Sequence, residues 1–267
     1  MIGTTAPLVS LILATRNRRE RARIVIDAVL RDKEEFPSLE LIVIDGDSTD
    51  GTKEMLASYG AKIDRWMSLP GGGPYGAWAA GVPLANGRYI RVLSDDDVYC
   101  TGQLPSLAPF LEQGSVDIVA GSSCLALPSG PRQARRLWWK KFSMITLDSF
   151  LWWPIWSGFA HESIFFSADL FRRYGTWDLW YRIAADVEIV ARFLSKGATM
   201  VKRPEVVLHR VNHPDALSVR HRFLGRVEVW MIMIRRKKYL HVVQHFAASA
   251  AWGCIGHFFS FMGSHKR

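Results

Sequence analysis

Cysteine is scarce in this sequence and is not arranged to build a metal or disulfide framework. The three cysteines, Cys100, Cys124 and Cys254, are odd in number and lie far apart along the chain. This pattern argues against a disulfide-stapled secreted domain and favours a reducing compartment. Residues Met1 to Pro7 also lack the basic start and apolar core of a secretory signal. We therefore expect a cytoplasmic protein.

A membrane-spanning segment and the common phosphate-binding motifs are missing as well. The late apolar run from Phe246 to Met262 holds 17 residues, fewer than the ~20 that a membrane-spanning helix needs. No Gly-x-Gly-x-x-Gly follows the first apolar run, and no P-loop lysine is present. These absences argue against a dinucleotide-binding protein and against a P-loop protein.

The composition is that of a globular chain with a strong positive charge. Hydrophobic residues make up 49% and charged residues 22% of the 267 residues, which indicates one large domain or one domain with an appendage. The net charge of +9 indicates an anionic partner, such as nucleic acid, a phosphate-bearing substrate or a membrane surface. No nucleic-acid-binding motif is present, so we expect no nucleic-acid partner.

Apolar runs of strand length alternate with helical patterns through the first half of the chain. This alternation predicts an α/β fold with a mostly parallel sheet and helices on both faces. The predicted strands are Leu8–Ala14, Leu39–Ile44, Arg65–Met67, a run from Arg88 that ends in three aspartates, Val116–Ser122 and Val206–Val211. The predicted helices are Glu20–Leu30, one that ends at Tyr59, one that runs towards Leu84, and Gln103–Leu111.

Carboxylates follow two of the predicted strands at the point where each strand ends. Asp45 follows Leu39–Ile44, and Asp95, Asp96 and Asp97 follow the run from Arg88. Open α/β sheets bind ligands beyond the carboxyl ends of their strands, and hard divalent cations prefer oxygen ligands. A solvated acidic turn is the alternative for three adjacent aspartates. The pattern is typical of a site for a metal ion and a phosphate-bearing substrate.

Four segments occur in an order that resembles glycosyltransferase family 2 of the GT-A fold. They are Ala14–Asn17, Val43–Thr52, Ala85–Ile90 and Ser94–Asp97. The resemblance is close over about the first 100 residues and returns near Asp186. It implies a GT-A, Rossmann-like fold, a nucleotide-diphosphate sugar donor and a divalent cation, Mn²⁺ or Mg²⁺.

The resemblance also implies roles for the polar residues at the first two strand ends. Thr15, Asn17 and Asp95 would line the pocket for the donor nucleotide, and Asp45 would meet its base. Asp50 is better interpreted as a cap of the helix that follows it.

The metal ligands are implied in the same way. Asp96 aligns with the usual metal-binding aspartate of the family, and Asp97 is an alternate ligand. Ser94 stands where the motif has its first acid, so a single aspartate would carry most of the metal binding. A histidine after the late strand can complete the metal shell in such enzymes. His209 or His213 would serve here, although both are compatible with ordinary loop positions.

Two residues of the second half correspond to the acceptor side of the family's site. Asp186 begins a predicted helix where the family has a general base, which takes a proton from the acceptor hydroxyl. The alternative for Asp186 is a helix N-terminal charge that interacts with the helix dipole. His161 precedes a strand that lies under the acceptor site in the family, and a structural histidine is the alternative.

The loop Pro70–Ala77 departs from the family's pattern. Related sequences carry acids in a pattern like Pro-Asp-x-Gly-x-Tyr-Asp-Ala, whereas Gly71 and Gly76 replace both acids here. Tyr75 is kept and is expected on the acceptor side. Backbone N–H groups of this glycine-rich loop would contact the donor in place of the acids.

Two basic and aromatic segments indicate a membrane surface. Residues 128–156 mix arginine and lysine with tryptophan, and Trp152 and Trp153 are candidate acceptor-side residues. The run Arg235–Lys238 is followed by the late apolar segment. Cations beside aromatic rings are typical of a protein at an anionic lipid interface. The alternative for both segments is helices packed on the core.

We therefore predict a GT-A domain over residues 1–218, with a nucleotide-binding half (1–100) and an acceptor half (101–218). Residues 219–267 are predicted to form a helical, membrane-associating segment. The expected function is metal-dependent, inverting transfer of a sugar to a lipid-linked acceptor in polysaccharide or glycolipid assembly, on the cytoplasmic face of the membrane. A sugar-nucleotide nucleotidyltransferase and a non-catalytic carbohydrate- or membrane-binding module are the alternatives.

Overall fold

The computed structural model describes residues 6–127, 130–132, 145–152, 160–211 and 217–244. Strands in this part of the chain alternate with helices, as the apolar pattern predicts. The strands are β1 (Val9–Thr15), β2 (Leu39–Asp45), β3 (Arg65–Ser68), β4 (Tyr89–Ser94), β5 (Val98–Tyr99), β6 (Ile118–Leu127), β7 (Gly130–Arg132), β8 (Ile164–Ser167) and β9 (Met200–Val211). The helices are α1 (Arg19–Glu35), α2 (Thr52–Ser58), α3 (Gly73–Gly81), α4 (Leu104–Gln113), α5 (Leu147–Trp152), α6 (Ala168–Tyr174), α7 (Ala185–Ser195), α8 (Leu217–Arg220) and α9 (Arg222–Arg235).

The strands form a single mixed sheet in the order β3-β2-β1-β4-β8-β6-β9-β5, with β7 paired to β6. The pairs β2–β3, β1–β2, β1–β4 and β6–β9 are parallel, while β8 is antiparallel to both β4 and β6. Following these pairings across the sheet, β5, β7 and β8 run against the other described strands. The predicted α/β class with a mostly parallel sheet is confirmed.

The core lies on both faces of the sheet because neighbouring strand residues point to opposite sides. Val9, Leu11 and Leu13 pack with α1, α2 and α4 on one face. Ile12 and Ala14 pack on the other face with α3, α5, α6, α7 and α9. Both β1 and β2 are buried at every position, which explains why they are continuous apolar runs in the sequence.

The second half of the sheet differs from its prediction in strand length. The late strand was expected at Val206–Val211, but β9 begins at Met200 and pairs with β6 along much of its length. Residues 202–205, three charged residues and a proline, hide the strand from an apolar pattern, and register shifts opposite Ala120 to Ser123 of β6 accommodate the extra residues of β9. The two-residue strand β5 is too short to give any pattern.

The C-terminal helix α9 packs on the core through Val229, Ile232 and Met233. Two residues of the basic run Arg235–Lys238, which was predicted to face lipid, form ion pairs within the protein. Arg236 pairs with Glu188 at 2.9 Å, and Lys238 pairs with the exposed Asp148. Within the described residues, no helix is both long enough and apolar enough to cross a bilayer. Residues 245–267, which hold the late apolar run, lie outside the described residues.

Candidate active site

The parallel register brings the predicted donor residues to one edge of the sheet. Thr15 lies opposite Asp45 on the neighbouring strand β2, and Ala14 lies opposite Ser94 on β4. The residues that follow β1, β2 and β4 therefore share the edge formed by the carboxyl ends of these strands. Such an edge is where open α/β sheets bind their ligands.

Thr15 and Asp95 are in direct contact at this edge. The Thr15 hydroxyl donates a 2.7 Å hydrogen bond to the Asp95 carboxylate, and Arg18 donates another at 3.2 Å. Burial raises the pKa of the Asp95 carboxyl, while the contacts with Thr15 and Arg18 oppose this rise. Thr15 and Asp95, both predicted to bind the donor nucleotide, are thus bonded to each other, and the Arg18 guanidinium lies beside them.

Asn17 and Asp45 shape the loop that follows β2. Asn17 has a φ of 51°, its backbone amide donates to the Ser48 hydroxyl at 2.8 Å, and its side-chain oxygen accepts from the Thr49 amide at 2.8 Å. The buried Asp45 carboxylate accepts from the Ser48 amide at 3.0 Å and from the Ser68 hydroxyl at 2.6 Å. These bonds hold the loop in place, and contact of Asp45 with a base stays a prediction.

Asp50 contacts the amide groups at the starts of two helices. Its carboxylate accepts from the Arg19 amide at 3.0 Å and from the Thr52 amide at 3.2 Å. The N-cap residue of α2 is Gly51 and not Asp50, so Asp50 lies one residue before the cap position and bonds the first amide of both α2 and α1. This double contact fixes the loop after β2 against the start of α1.

Asp96 lies between two arginines of the β1–α1 region. Arg18 contacts its carboxylate, and Arg21 lies 3.3 Å from it. The neighbouring Asp97 accepts a 2.9 Å hydrogen bond from the Val211 amide at the end of β9. Asp95 and Asp96 are thus held by the β1–α1 region and Asp97 by the end of β9, and these contacts offset the mutual repulsion of the three aspartates.

The side chains around Asp96 supply only part of the ligands that a magnesium or manganese ion needs. Within the described residues, no group of three His, Cys, Asp or Glu side chains is arranged to hold a metal ion. Mg²⁺ is often held by one or two carboxylates, with substrate phosphates completing its shell. The partly exposed Asp96 meets that requirement, so the residues present fit a cation that arrives with a diphosphate.

His209 faces a different part of the protein. It lies in register with Val98 and Cys124, and its ring lines a cavity of about 490 Å³ together with both described cysteines. Its Nδ1 atom is buried and has no hydrogen-bond partner among the described residues. No described contact brings His209 to Asp96, and His213 lies outside the described residues.

Asp186 is the second residue of α7 and is partly exposed. Burial raises the pKa of its carboxyl to about 6, against the opposing effects of the Val187 amide and the Tyr75 hydroxyl. The Tyr75 hydroxyl also donates a 2.8 Å hydrogen bond to the Ile183 carbonyl oxygen. A carboxylate whose pKa lies near neutrality can accept a proton and release it under ordinary conditions.

Glu162 belongs to the same cluster and was missed by the sequence interpretation. Burial raises the pKa of its carboxyl to about 7, with further upward effects from the charges of Asp97 and Asp186 and a downward effect from Arg210. These interactions connect the acidic turn after β4 with the start of α7. No local pattern in the sequence marks Glu162, because its interactions with Asp97, Asp186 and Arg210 join segments that are far apart along the chain.

His161 is a core residue in the structure. Its ring packs against Trp78, Phe166 and Trp177, and its Nε2 atom accepts a 3.0 Å hydrogen bond from the Trp177 indole. Burial lowers the pKa of His161 to about 3, so the ring is neutral at physiological pH. Trp152 ends α5, and its side chain and all of Trp153 lie outside the described residues.

A family model described as Glycosyl transferase family 2 matches residues 10–175, more than half of the chain. The chain therefore belongs to glycosyltransferase family 2, and the protein is a glycosyltransferase. The residues matched by the family model include every predicted donor-binding and metal-binding residue at the ends of β1, β2 and β4. Asp186 lies beyond the matched residues.

Individual relatives agree with this assignment. The chain is 28% identical over 218 residues to a PGL/p-HBAD biosynthesis glycosyltransferase of Mycobacterium bovis, covering 80% of each protein. Among solved structures it resembles S. aureus TarS 1–349 in complex with UDP-GlcNAc, with a TM-score of 0.68 and 14% identity, over 90% of this chain and 72% of that one. It also resembles a mannosyltransferase from Pyrobaculum calidifontis in complex with GDP-Man and Mn²⁺, with a TM-score of 0.64 and 18% identity, over 98% of this chain and 82% of that one. These two likenesses show the fold.

Proposed function

We propose that the protein transfers a sugar from a nucleoside-diphosphate donor to an acceptor hydroxyl with inversion, using Asp186 as the general base. The observation that carries this proposal is the raised pKa of Asp186, about 6, at the start of α7. The charges of Asp186 and Asp97 both raise the pKa of Glu162, which supports a position of the proposed base near the acidic turn.

The reaction needs one proton transfer and one displacement. The ionised Asp186 takes the proton from the acceptor hydroxyl while its oxygen forms a bond to the anomeric carbon of the sugar. The bond from that carbon to the diphosphate oxygen breaks, and the nucleoside diphosphate leaves. A base with a pKa of about 6 is mostly ionised at neutral pH and remains basic enough to accept the proton.

The donor nucleotide is proposed to bind at the ends of β1, β2 and β4. Thr15, Asn17, Asp45 and Asp95 are close together there, and Arg18 adds a positive charge suited to a diphosphate. Asp96, with Asp97 as an alternate, would hold Mn²⁺ or Mg²⁺. When bound, the cation neutralises charge that develops on the leaving diphosphate. The Mn²⁺ in the structurally similar mannosyltransferase supports this assignment.

The acceptor is proposed to be lipid-linked and reached from the cytoplasmic face of a membrane. Phe223 and Leu240 are 78% and 67% exposed, and Val243 is also exposed. The cations Arg226 and Lys237 are exposed in the same C-terminal region. Apolar side chains beside cations favour an anionic bilayer, and the mycobacterial relative acts in PGL/p-HBAD biosynthesis. A peripheral, glycolipid-assembling enzyme accounts for both observations.

Thermal unfolding with a panel of nucleoside diphosphates and their sugars, with and without Mn²⁺, tests the donor site. A ligand that binds only the folded state stabilises it by about 2.7 kcal/mol at one hundred times its Kd. We expect a metal-dependent rise in Tm for one nucleotide and little rise for the corresponding nucleoside monophosphate. The variant Thr15→Val, which removes the hydroxyl that contacts Asp95, should lose part of the rise. No rise with any nucleotide would contradict the proposal.

A further inference from the structure

The helix α9 carries a buried carboxylate, Glu228, on the face that packs against the core. It lies beside the apolar residues Val229, Ile232 and Met233. A carboxylate removed from water in this way is costly unless polar groups replace its hydration. The partners of Glu228 therefore show what this position does in the fold.

The Glu228 carboxylate accepts three hydrogen bonds from backbone amides of the loop that leads into α7. One carboxylate oxygen accepts from the Arg182 amide at 2.9 Å, and the other accepts from Ile183 at 2.9 Å and Ala184 at 2.8 Å. Ala184 is the N-cap residue of α7 and has no side chain able to cap the helix. Glu228 thus anchors, from a distant helix, the loop backbone up to the N-cap residue of α7.

The same loop is held from its other side. Tyr75 of α3 donates to the Ile183 carbonyl oxygen at 2.8 Å. On α9, Gly225 approaches so closely that a Cβ atom placed on it would lie 3.0 Å from Ile183 Cγ2. At the far end of α9, Arg236 contacts Glu188 of α7 at 2.9 Å. The helix α9 therefore fixes both the loop before α7 and the helix itself.

We propose that Glu228 is a positioning residue for Asp186, so that α9 completes the catalytic site. This inference rests on the proposed role of Asp186 as the general base. Three hydrogen bonds to a charged acceptor fix the backbone two to four residues before Asp186. Without them, the start of α7 can shift relative to the acceptor hydroxyl, and a misplacement of 1 Å can cost about 100-fold in rate.

Glu228→Gln is the variant that tests the inference, because it keeps the shape and replaces one acceptor oxygen with an amino group that faces amide donors. We expect kcat to fall by about 10- to 100-fold, with the KM for the donor nearly unchanged. The acidic limb of the pH–rate profile should also move, because the pKa of Asp186 depends on its burial and on Tyr75, Glu162 and Arg210. A role in stability alone would leave that limb where it is in the wild type.

Glu40→Gln is the matched control. Glu40 is a buried carboxylate that accepts from the Ser10 hydroxyl and from two nitrogens of Asn86, with distances of 2.5 to 2.8 Å. It lies at the start of β2, at the sheet edge opposite the candidate site. Glu40→Gln should lower Tm by an amount similar to Glu228→Gln, yet the acidic limb should stay unchanged.

The outcomes separate this inference from the proposed function. If Asp186→Asn keeps its activity, the proposed base is wrong whatever Glu228 does. If Asp186→Asn is inactive while folded Glu228→Gln keeps the wild-type kcat and acidic limb, the positioning role is overturned. Should Glu228→Gln not fold, Gly225→Ala replaces it, since the added Cβ pushes Ile183 and alanine favours the helix. A wild-type kcat in Gly225→Ala would then overturn the inference.

Discussion

Tyr75 Oη donates a 2.8 Å hydrogen bond to the carbonyl oxygen of Ile183, three residues before Asp186. This bond joins α3, which follows the glycine-rich loop, to the loop that leads into α7. Gly71, Gly72 and Gly73 all have positive φ values between 59° and 80°, a conformation that side chains with a Cβ rarely adopt. The replacement of the family's first acid by glycine therefore has a local structural reason, and Tyr75 connects that loop to the candidate base.

Tyr75→Phe should reduce kcat about fivefold, because a buried neutral hydrogen bond contributes about 1 kcal/mol and the bond also orients the loop before Asp186. Steady-state kinetics on purified protein measure the effect. Tyr59→Phe is the control, since the Tyr59 hydroxyl donates to Asp27 of α1 at 2.6 Å, outside the candidate site. An equal loss of kcat in both variants would contradict a specific role of Tyr75.

Asp186→Asn should lower kcat by about 10²- to 10⁴-fold, the usual contribution of a general base. It should also stabilise the fold at pH 8. The pKa of Asp186 is about 6 in the folded protein, against the usual 3.8, so the folded state binds the proton more tightly. Ionisation then destabilises the fold as the pH rises from about 4 to about 6, and asparagine removes that cost. A Tm increase of roughly 2–4 °C corresponds to 1 kcal/mol in a domain of this size.

Asp169→Asn serves as the control for that substitution. Asp169 is an exposed carboxylate on α6 that pairs with arginines on the same helix. Its replacement should leave both kcat and the pH dependence of Tm close to wild type. Activity of Asp186→Asn within twofold of wild type would show that another group takes the proton.

The pH dependence of kcat/KM should show an acidic limb with a midpoint near pH 6, because only ionised Asp186 can accept the proton. An unperturbed aspartate would place this midpoint near pH 4. Initial rates between pH 4 and 9, in buffers of constant ionic strength, measure the profile. A midpoint near pH 4 would contradict the assignment of Asp186 as the base.

Asp96→Asn should raise the Mn²⁺ concentration for half-maximal activity by tenfold or more, since it removes the main carboxylate ligand offered to the cation. Asp47→Asn is a matched control. Asp47 lies on the loop after β2 and forms a 2.6 Å ion pair with Lys53, and Asp96 likewise pairs with arginines. The control should keep the wild-type metal requirement. Equal metal dependence in wild type and Asp96→Asn would place the cation elsewhere.

The strands of the first half could be predicted from the sequence because they are buried on both faces. Val9–Thr15 and Leu39–Asp45 are completely buried, so each is a continuous apolar run, and the polar residues that follow mark the carboxyl edge of the sheet. The shared location of Thr15, Asp45 and Asp95 was therefore predictable, while their binding of a donor nucleotide stays a prediction. Its internal bonds, such as that between Thr15 and Asp95, depend on residues 80 positions apart and leave no local pattern.

The second half of the site was less predictable, because it also depends on contacts between residues far apart in the sequence. Glu162 and Glu228 are single acids in mixed segments, and each acquires its role only when distant elements pack together. His161 carried a stronger expectation as a site residue, yet it lies among aromatic rings with its pKa lowered to about 3. The contacts of these residues depend on long-range packing, which a linear pattern does not encode, and a site role for His161 stays a prediction.

The reaction proposed for the protein is sugar transfer from a nucleoside-diphosphate donor with Asp186 as base. The most direct test is to incubate the protein with donor sugar nucleotides, Mn²⁺ and a lipid extract, and to quantify the nucleotide product and the labelled sugar. We predict that one donor releases its nucleoside diphosphate in step with sugar transfer, and that Asp186→Asn does neither. Release of pyrophosphate, or nucleotide binding without turnover of any donor, would contradict the account.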